Sequence, residues 1–102
     1  MSTVAPPVRT TRRREVGPGA GWDGRPWLVV VLNDEHNTFD GVAFALASTI
    51  PGVSFDAGLR LADRIHTAGR AIVWRGHREP AELYWTELRG QGLTMAPLEQ
   101  LP

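Results

Sequence analysis

Cysteine is absent from the 102 residues, lysine is absent too, and there is a single tyrosine. Without cysteine the chain can form neither a disulfide framework nor a thiolate metal site, which suits a reducing compartment. Excess charge of either sign is also lacking, because Lys+Arg 11 balance Asp+Glu 11. A balanced chain has no sustained basic surface, so neither nucleic acid nor an anionic membrane is expected as a partner. Long apolar runs are missing as well. The run Trp27 to Leu32 is far too short to cross a bilayer. The amino terminus carries no apolar stretch of the secretory kind, so a soluble, cytoplasmic protein is expected.

A chain of this length has room for one domain with one modest core. Residues Met1 to Arg25 form a zone apart. They hold Pro6-Pro7, the basic run Arg12-Arg13-Arg14 and Gly17-Pro18-Gly19, with Trp22 as the only large aromatic. Such a segment buries too little apolar surface to offset its chain entropy and reads as a disordered extension, leaving 26–102 as the folded domain.

Order begins at Trp27. Trp27-Leu28-Val29-Val30-Val31-Leu32 is short, apolar and β-branched at its centre, the pattern of a strand covered on both faces. Asn33 to Asn37 is turn-forming. A helix then starts near Phe39, with Asn37 as its N-cap, Asp40 in its first turn and Phe39, Val42, Ala43, Leu46 and Ile50 on one stripe. Pro51-Gly52 stops it. Ser54 caps a second helix that Gly69 ends, with Leu61, Ile65 and Ala68 on one stripe and Phe55, Leu59, Ala62 and His66 on the next. Ala71 to Trp74 reads as a strand. Pro80 suits the first position of a third helix whose inner face is Ala81, Tyr84, Trp85 and Leu88. Leu93 to Ala96 is a candidate last strand. The order βααβαβ implies an α+β domain with helices packed on a small three-stranded antiparallel sheet.

Three blocks in this order carry a resemblance. They are the strand ending in Asn33-Asp34, then Ile65-His66-Thr67-Ala68-Gly69-Arg70-Ala71, then Arg78-Glu79-Pro80-Ala81-Glu82. Across about Trp27 to Glu99 the chain resembles the ClpS family, adaptors of the ATP-dependent Clp protease. The resemblance implies an adaptor that binds the free α-amino group and bulky hydrophobic first residue of a degradation signal. It also implies docking on the amino-terminal domain of a ClpA- or ClpC-type unfoldase, with the adaptor itself a monomer. By the same match Asn33 and His66 would hold the α-ammonium, with Asp34 beside them and in reach through water. Asn37, Phe39, Val42, Ala62 and Ile65 would form the side-chain pocket and peptide contacts, and Glu79 and Tyr84 would face the unfoldase.

The residue types suit that chemistry. An ammonium needs fixed acceptors, which Asn33 offers as an amide oxygen, Asp34 as a carboxylate and His66, when neutral, as one ring nitrogen. Taken without the resemblance, Asn33-Asp34 reads sooner as a turn capping its own backbone, and His66 as a residue at the margin of an amphipathic helix.

Several positions depart from the family. Ala62 and Phe39 stand where Met is common, Asn37 where Thr is common and Thr38 where Pro is common. Gly41 replaces a large residue, and Tyr84 replaces a basic one. The smaller Ala62 implies a wider pocket that admits Ile or Val unless Phe39 fills the space. These departures leave a second reading, a divergent paralogue that docks on the Clp ATPase without ordinary degron binding. A third reading is an interaction domain like the carboxy-terminal domain of the ribosomal stalk protein, which has no need of the Asn-Asp and His pair. An enzyme is not expected. No nucleophile motif and no phosphate loop accompanies Asp34, Glu35, His36, His66 and His77, and the histidines lack metal-ligand spacing, so neither a metal nor a cofactor is implied.

Overall fold

The computed structural model describes residues 24–102. The extension read from Met1 to Arg25 therefore falls almost wholly outside the described residues. Six elements follow in the order β1 (Trp27–Leu32), α1 (Phe39–Thr49), α2 (Phe55–Ala68), β2 (Arg70–Gly76), α3 (Arg78–Gly90) and β3 (Glu99–Gln100). The sheet is antiparallel in the order β2-β1-β3, with β1 central. Both the α+β class and the succession of elements match the sequence reading.

β1 is covered on both sides, as its continuous apolar run implies. Val29 and Val31 face the helices, in one cluster with Leu46, Ile65 and Leu88. Leu28 and Val30 face the other way, against Ala96, Leu32 and Leu101. A bulge interrupts the β1–β2 ladder, since Val29 pairs with Trp74 and Val30 with Ile72. The extra residue puts Val73 and Trp74 together on the helix side of the sheet, where both join the main core.

α1 and α2 form a hairpin in which Gly58 of α2 packs directly on the Ala43 backbone of α1. A methyl group there would lie 2.7 Å from the Ala43 carbonyl oxygen. Only a residue without Cβ permits this contact, which the apolar stripes of the sequence did not reveal.

Three boundaries differ from the sequence reading. The N-cap of α1 is Thr38, whose Oγ1 accepts from the Gly41 N–H at 3.0 Å, because Asn37 is engaged by Asp34 instead. α3 begins at Arg78 after His77, which puts Pro80 third rather than first. Proline is tolerated there because the first-turn N–H groups have no intrahelical partner to lose. The last strand is displaced. Leu93 to Ala96 contributes only a single bridge, Met95 to Val31, and the ladder resumes at Glu99–Gln100 against Trp27 and Leu28. Pro97 lies between them and has no N–H to donate.

Candidate functional site

The end of β1 delivers the chain to the mouth of the α1–α2 hairpin. Asn33 follows the last strand residue, and its N–H donates to the Gly69 carbonyl at 3.0 Å. Gly69 closes α2 in the left-handed conformation, φ 87°, with its own N–H on the Ile65 carbonyl. The turn after β1 is thereby fastened to the end of the helix that carries His66.

A cleft of about 220 Å³ opens at this junction, lined by Val31, Leu32, Asn33, Asp34, Glu35, Asn37, Thr38, Phe39, Val42, Ala62, Ile65, His66 and Leu93. Its size suits one side chain rather than a drug-sized ligand. The deep part is apolar, with Val31, Val42, Ala62, Ile65 and Leu93 all buried. The rim is polar, with Asn33, Glu35, Thr38 and His66 exposed and Asp34 and Asn37 half-buried. Phe39 stands at the margin, 42% exposed, and sets its ring edgewise to His66 with centroids 5.3 Å apart.

The loop Asn33 to Asn37 is organised by one carboxylate. Asp34 Oδ1 accepts from the backbone N–H groups of His36 at 2.9 Å and Asn37 at 2.8 Å. Its Oδ2 accepts from Asn37 Nδ2 and Thr94 Oγ1, both at 2.8 Å. The hydrogen bond from the Asn37 backbone N–H, aided by those from the Asn37 side chain, Thr94 and His36, holds the Asp34 carboxyl well below the usual carboxylate range. Asn37 Nδ2 also donates to the Gly92 carbonyl at 3.0 Å. Two side chains, Asp34 at Thr94 and Asn37 at Gly92, thus tie the loop to the segment that follows α3. Among the described residues, neither the Asn33 side-chain amide nor the His66 ring nitrogens have a hydrogen-bond partner.

The structure therefore brings together eight of the residues singled out in the sequence: Asn33, Asp34, Asn37, Phe39, Val42, Ala62, Ile65 and His66. Glu79 and Tyr84 lie apart from the cleft on α3. Glu79 is exposed, and Tyr84 is half-buried with its ring edge-on to Trp74 at 5.2 Å.

The family model described as ATP-dependent Clp protease adaptor protein ClpS matches residues 23–98. The chain belongs to the ClpS family. It is an adaptor of the Clp protease and not an enzyme. The ClpS adaptor of Nostoc sp. is 55% identical over 73 residues, which are 72% of this chain and 75% of that one. The ClpS adaptor of Thermosynechococcus vestitus is 42% identical over 99 residues, covering 97% of this chain and 98% of its own. Among solved structures, ClpS2 of Agrobacterium tumefaciens bound to L-phenylalaninamide superposes with a TM-score of 0.69 at 25% identity. That likeness covers 76% of this chain and 98% of the other.

Five lining residues of this ClpS chain were not singled out in the sequence as site residues: Val31, Leu32, Glu35, Thr38 and Leu93. Val31 and Leu32 read as strand core, and Thr38 as part of a helix start. The resemblance implies a wall residue somewhere in Leu93 to Met95 without fixing which, and the tertiary fold picks Leu93. The segment after α3 returns along β1, with the Leu32 N–H on the Thr94 carbonyl at 2.8 Å, and this return sets Leu93 into the cleft floor.

Proposed function

We propose that this ClpS adaptor holds the amino-terminal residue of its substrates in the cleft, with the α-ammonium at the polar rim and a bulky apolar side chain in the buried part. The observation that carries this reading is the pairing of unpartnered acceptors on Asn33 and His66 with an apolar floor of single-side-chain size. A hydrogen bond to a charged group contributes about 1.5–3 kcal/mol. Burying a Leu or Phe side chain contributes about as much again, 1.5–3 kcal/mol. A blocked terminus or a small first residue forfeits one of the two. The ligand of the Agrobacterium ClpS2 structure, L-phenylalaninamide, has both features in one small molecule.

The captured substrate passes to a Clp AAA+ unfoldase of the ClpA or ClpC type. α3 offers that partner the exposed Glu79 and the uncovered part of Tyr84.

Titrating ¹⁵N-labelled protein with L-phenylalaninamide tests the reading. Amide shifts are expected in the Asn33 to Phe39 loop and along Ala62 to His66. Absence of shifts at millimolar ligand, or shifts centred on α3 instead, would refute it and leave a docking-only paralogue.

A further inference from the structure

Among the described residues, Asp34 is the carboxylate at the cleft whose hydrogen bonds the fold has already assigned. A carboxylate has about four acceptor positions, two on each oxygen. Those of Asp34 are taken by the His36 N–H, the Asn37 N–H, Asn37 Nδ2 and Thr94 Oγ1. Little is left for an incoming ammonium.

Asn37 is in the opposite condition. Its amide has two donors and one acceptor oxygen. Both donors are spent, one on Asp34 Oδ2 and one on the Gly92 carbonyl. The reverse orientation of the amide is ruled out, because Oδ1 would then face two acceptors. Among the described residues nothing donates to Oδ1. Asn37 lines the cleft, so what it has left to give a ligand is a fixed acceptor.

We infer that Asn37 Oδ1 is the third acceptor for the substrate's α-ammonium, beside Asn33 and His66, and that Asp34 serves by positioning it. A primary ammonium carries three N–H donors, and three acceptors then meet them one to one. This inference rests on the reading of the cleft as an amino-terminus site. It assigns Asn37 to the amino group itself and limits the accepted class to primary amines: a first residue methylated on nitrogen has only two N–H donors, and an amino-terminal proline likewise.

The test is a binding cycle by fluorescence anisotropy. The probes are one Leu-initiated peptide, the same peptide methylated on the nitrogen of residue one, and the same peptide methylated on the amide nitrogen of residue two. The proteins are wild type, Asn37→Leu and Asp34→Asn, each checked for folding by circular dichroism. For wild type, methylation at residue one is expected to weaken binding about ten- to a hundredfold, the loss of one hydrogen bond to a charge. For Asn37→Leu the primary and methylated peptides should bind within about threefold of each other, the ordinary scatter of single-contact effects.

An undiminished methylation penalty in Asn37→Leu overturns the inference. So does a penalty that vanishes in Asp34→Asn while persisting in Asn37→Leu, which gives the third contact to the carboxylate. Coupling of Asn37 to residue-two methylation alone also overturns it, and assigns the oxygen to the peptide N–H. If Asn37→Leu does not fold, wild-type protein suffices: the Asn37 side-chain carbonyl ¹³C resonance should move with 2-phenylethylamine, which has the ammonium but no amide. No movement overturns the inference. Failure of every free terminus to bind wild type overturns the amino-terminus reading as well, whereas binding that is lost on acetylation yet indifferent to Asn37 overturns only this one.

Discussion

The N–H of Asn33 donates to the carbonyl of Gly69 at 3.0 Å, and this one bond sets the turn after β1 against the end of α2. Gly69 holds φ 87° with open space around its Cα, so a side chain there meets no obstacle but an unfavourable backbone. Gly69→Ala is expected to cost about 1–2 kcal/mol, the penalty for a left-handed L-residue. Urea unfolding measures it. Because the strain falls on the Asn33 anchor, peptide affinity should fall along with stability.

Gly58 makes a different demand, since its constraint is space. A Cβ would stand 2.7 Å from Ala43 O and 2.9 Å from Ala43 Cα, both rigid backbone atoms. Gly58→Ala should push α1 from α2 and destabilise by about 1–3 kcal/mol, as overpacking does. Gly90 is the control, because a Cβ there meets nothing within 4 Å. Gly90→Ala should leave the urea midpoint unchanged or raise it by up to about 1 kcal/mol of stability.

Gly58 marks what the sequence left unsaid. The strand Trp27–Leu32, the α1–α2 hairpin and the end of α2 at Gly69 were legible because periodicity, the Ser54 cap and Pro51-Gly52 all agreed. The eight cleft residues were legible only through the ClpS resemblance that Asn33-Asp34 and the run Ile65 to Ala71 help to carry, and the structure brings those eight to one cleft. Packing was not. Nothing in the sequence gives Gly58 its contact with Ala43, and nothing singles out Leu93 within Leu93 to Met95 as the cleft residue. The N-cap was misplaced for an electrostatic reason. Asn37 is a good cap in isolation, but Asp34 claims its amide, and Thr38 takes over.

Asp34 predicts a pH dependence. Its folded-state pKa is depressed, so the folded form binds its proton less readily than the unfolded chain does. The stabilisation is therefore present above the unfolded carboxylate value, about 4, and is lost as the pH falls from there toward the depressed folded value. The stability gap between wild type and Asp34→Asn should be constant from pH 8 to 5 and narrow below about pH 4. Urea midpoints across that range check it. A gap that widens on acidification contradicts the assigned hydrogen bonds.

Ala62 is buried at 3% exposure in the cleft floor, and a longer side chain there must occupy the cleft. Ala62→Met should lower affinity for peptides beginning with Ile or Val at least tenfold more than for Leu, a difference of about 1.4 kcal/mol. The wild-type cleft should accept all three. Competition of unlabelled peptides against a labelled Leu peptide gives the ratios, and an unchanged order in Ala62→Met would show that Phe39 rather than Ala62 sets the width.

Fluorescence anisotropy of a single peptide pair on wild-type protein goes to the centre of the matter. One peptide begins with a free Phe, and the other is identical but acetylated. The free peptide should bind at micromolar concentration or better. The acetylated one should bind at least a hundredfold more weakly, because Asn33 and His66 lose their ammonium partner. Equal binding of the two, or of neither, would show that the cleft does not read an amino terminus.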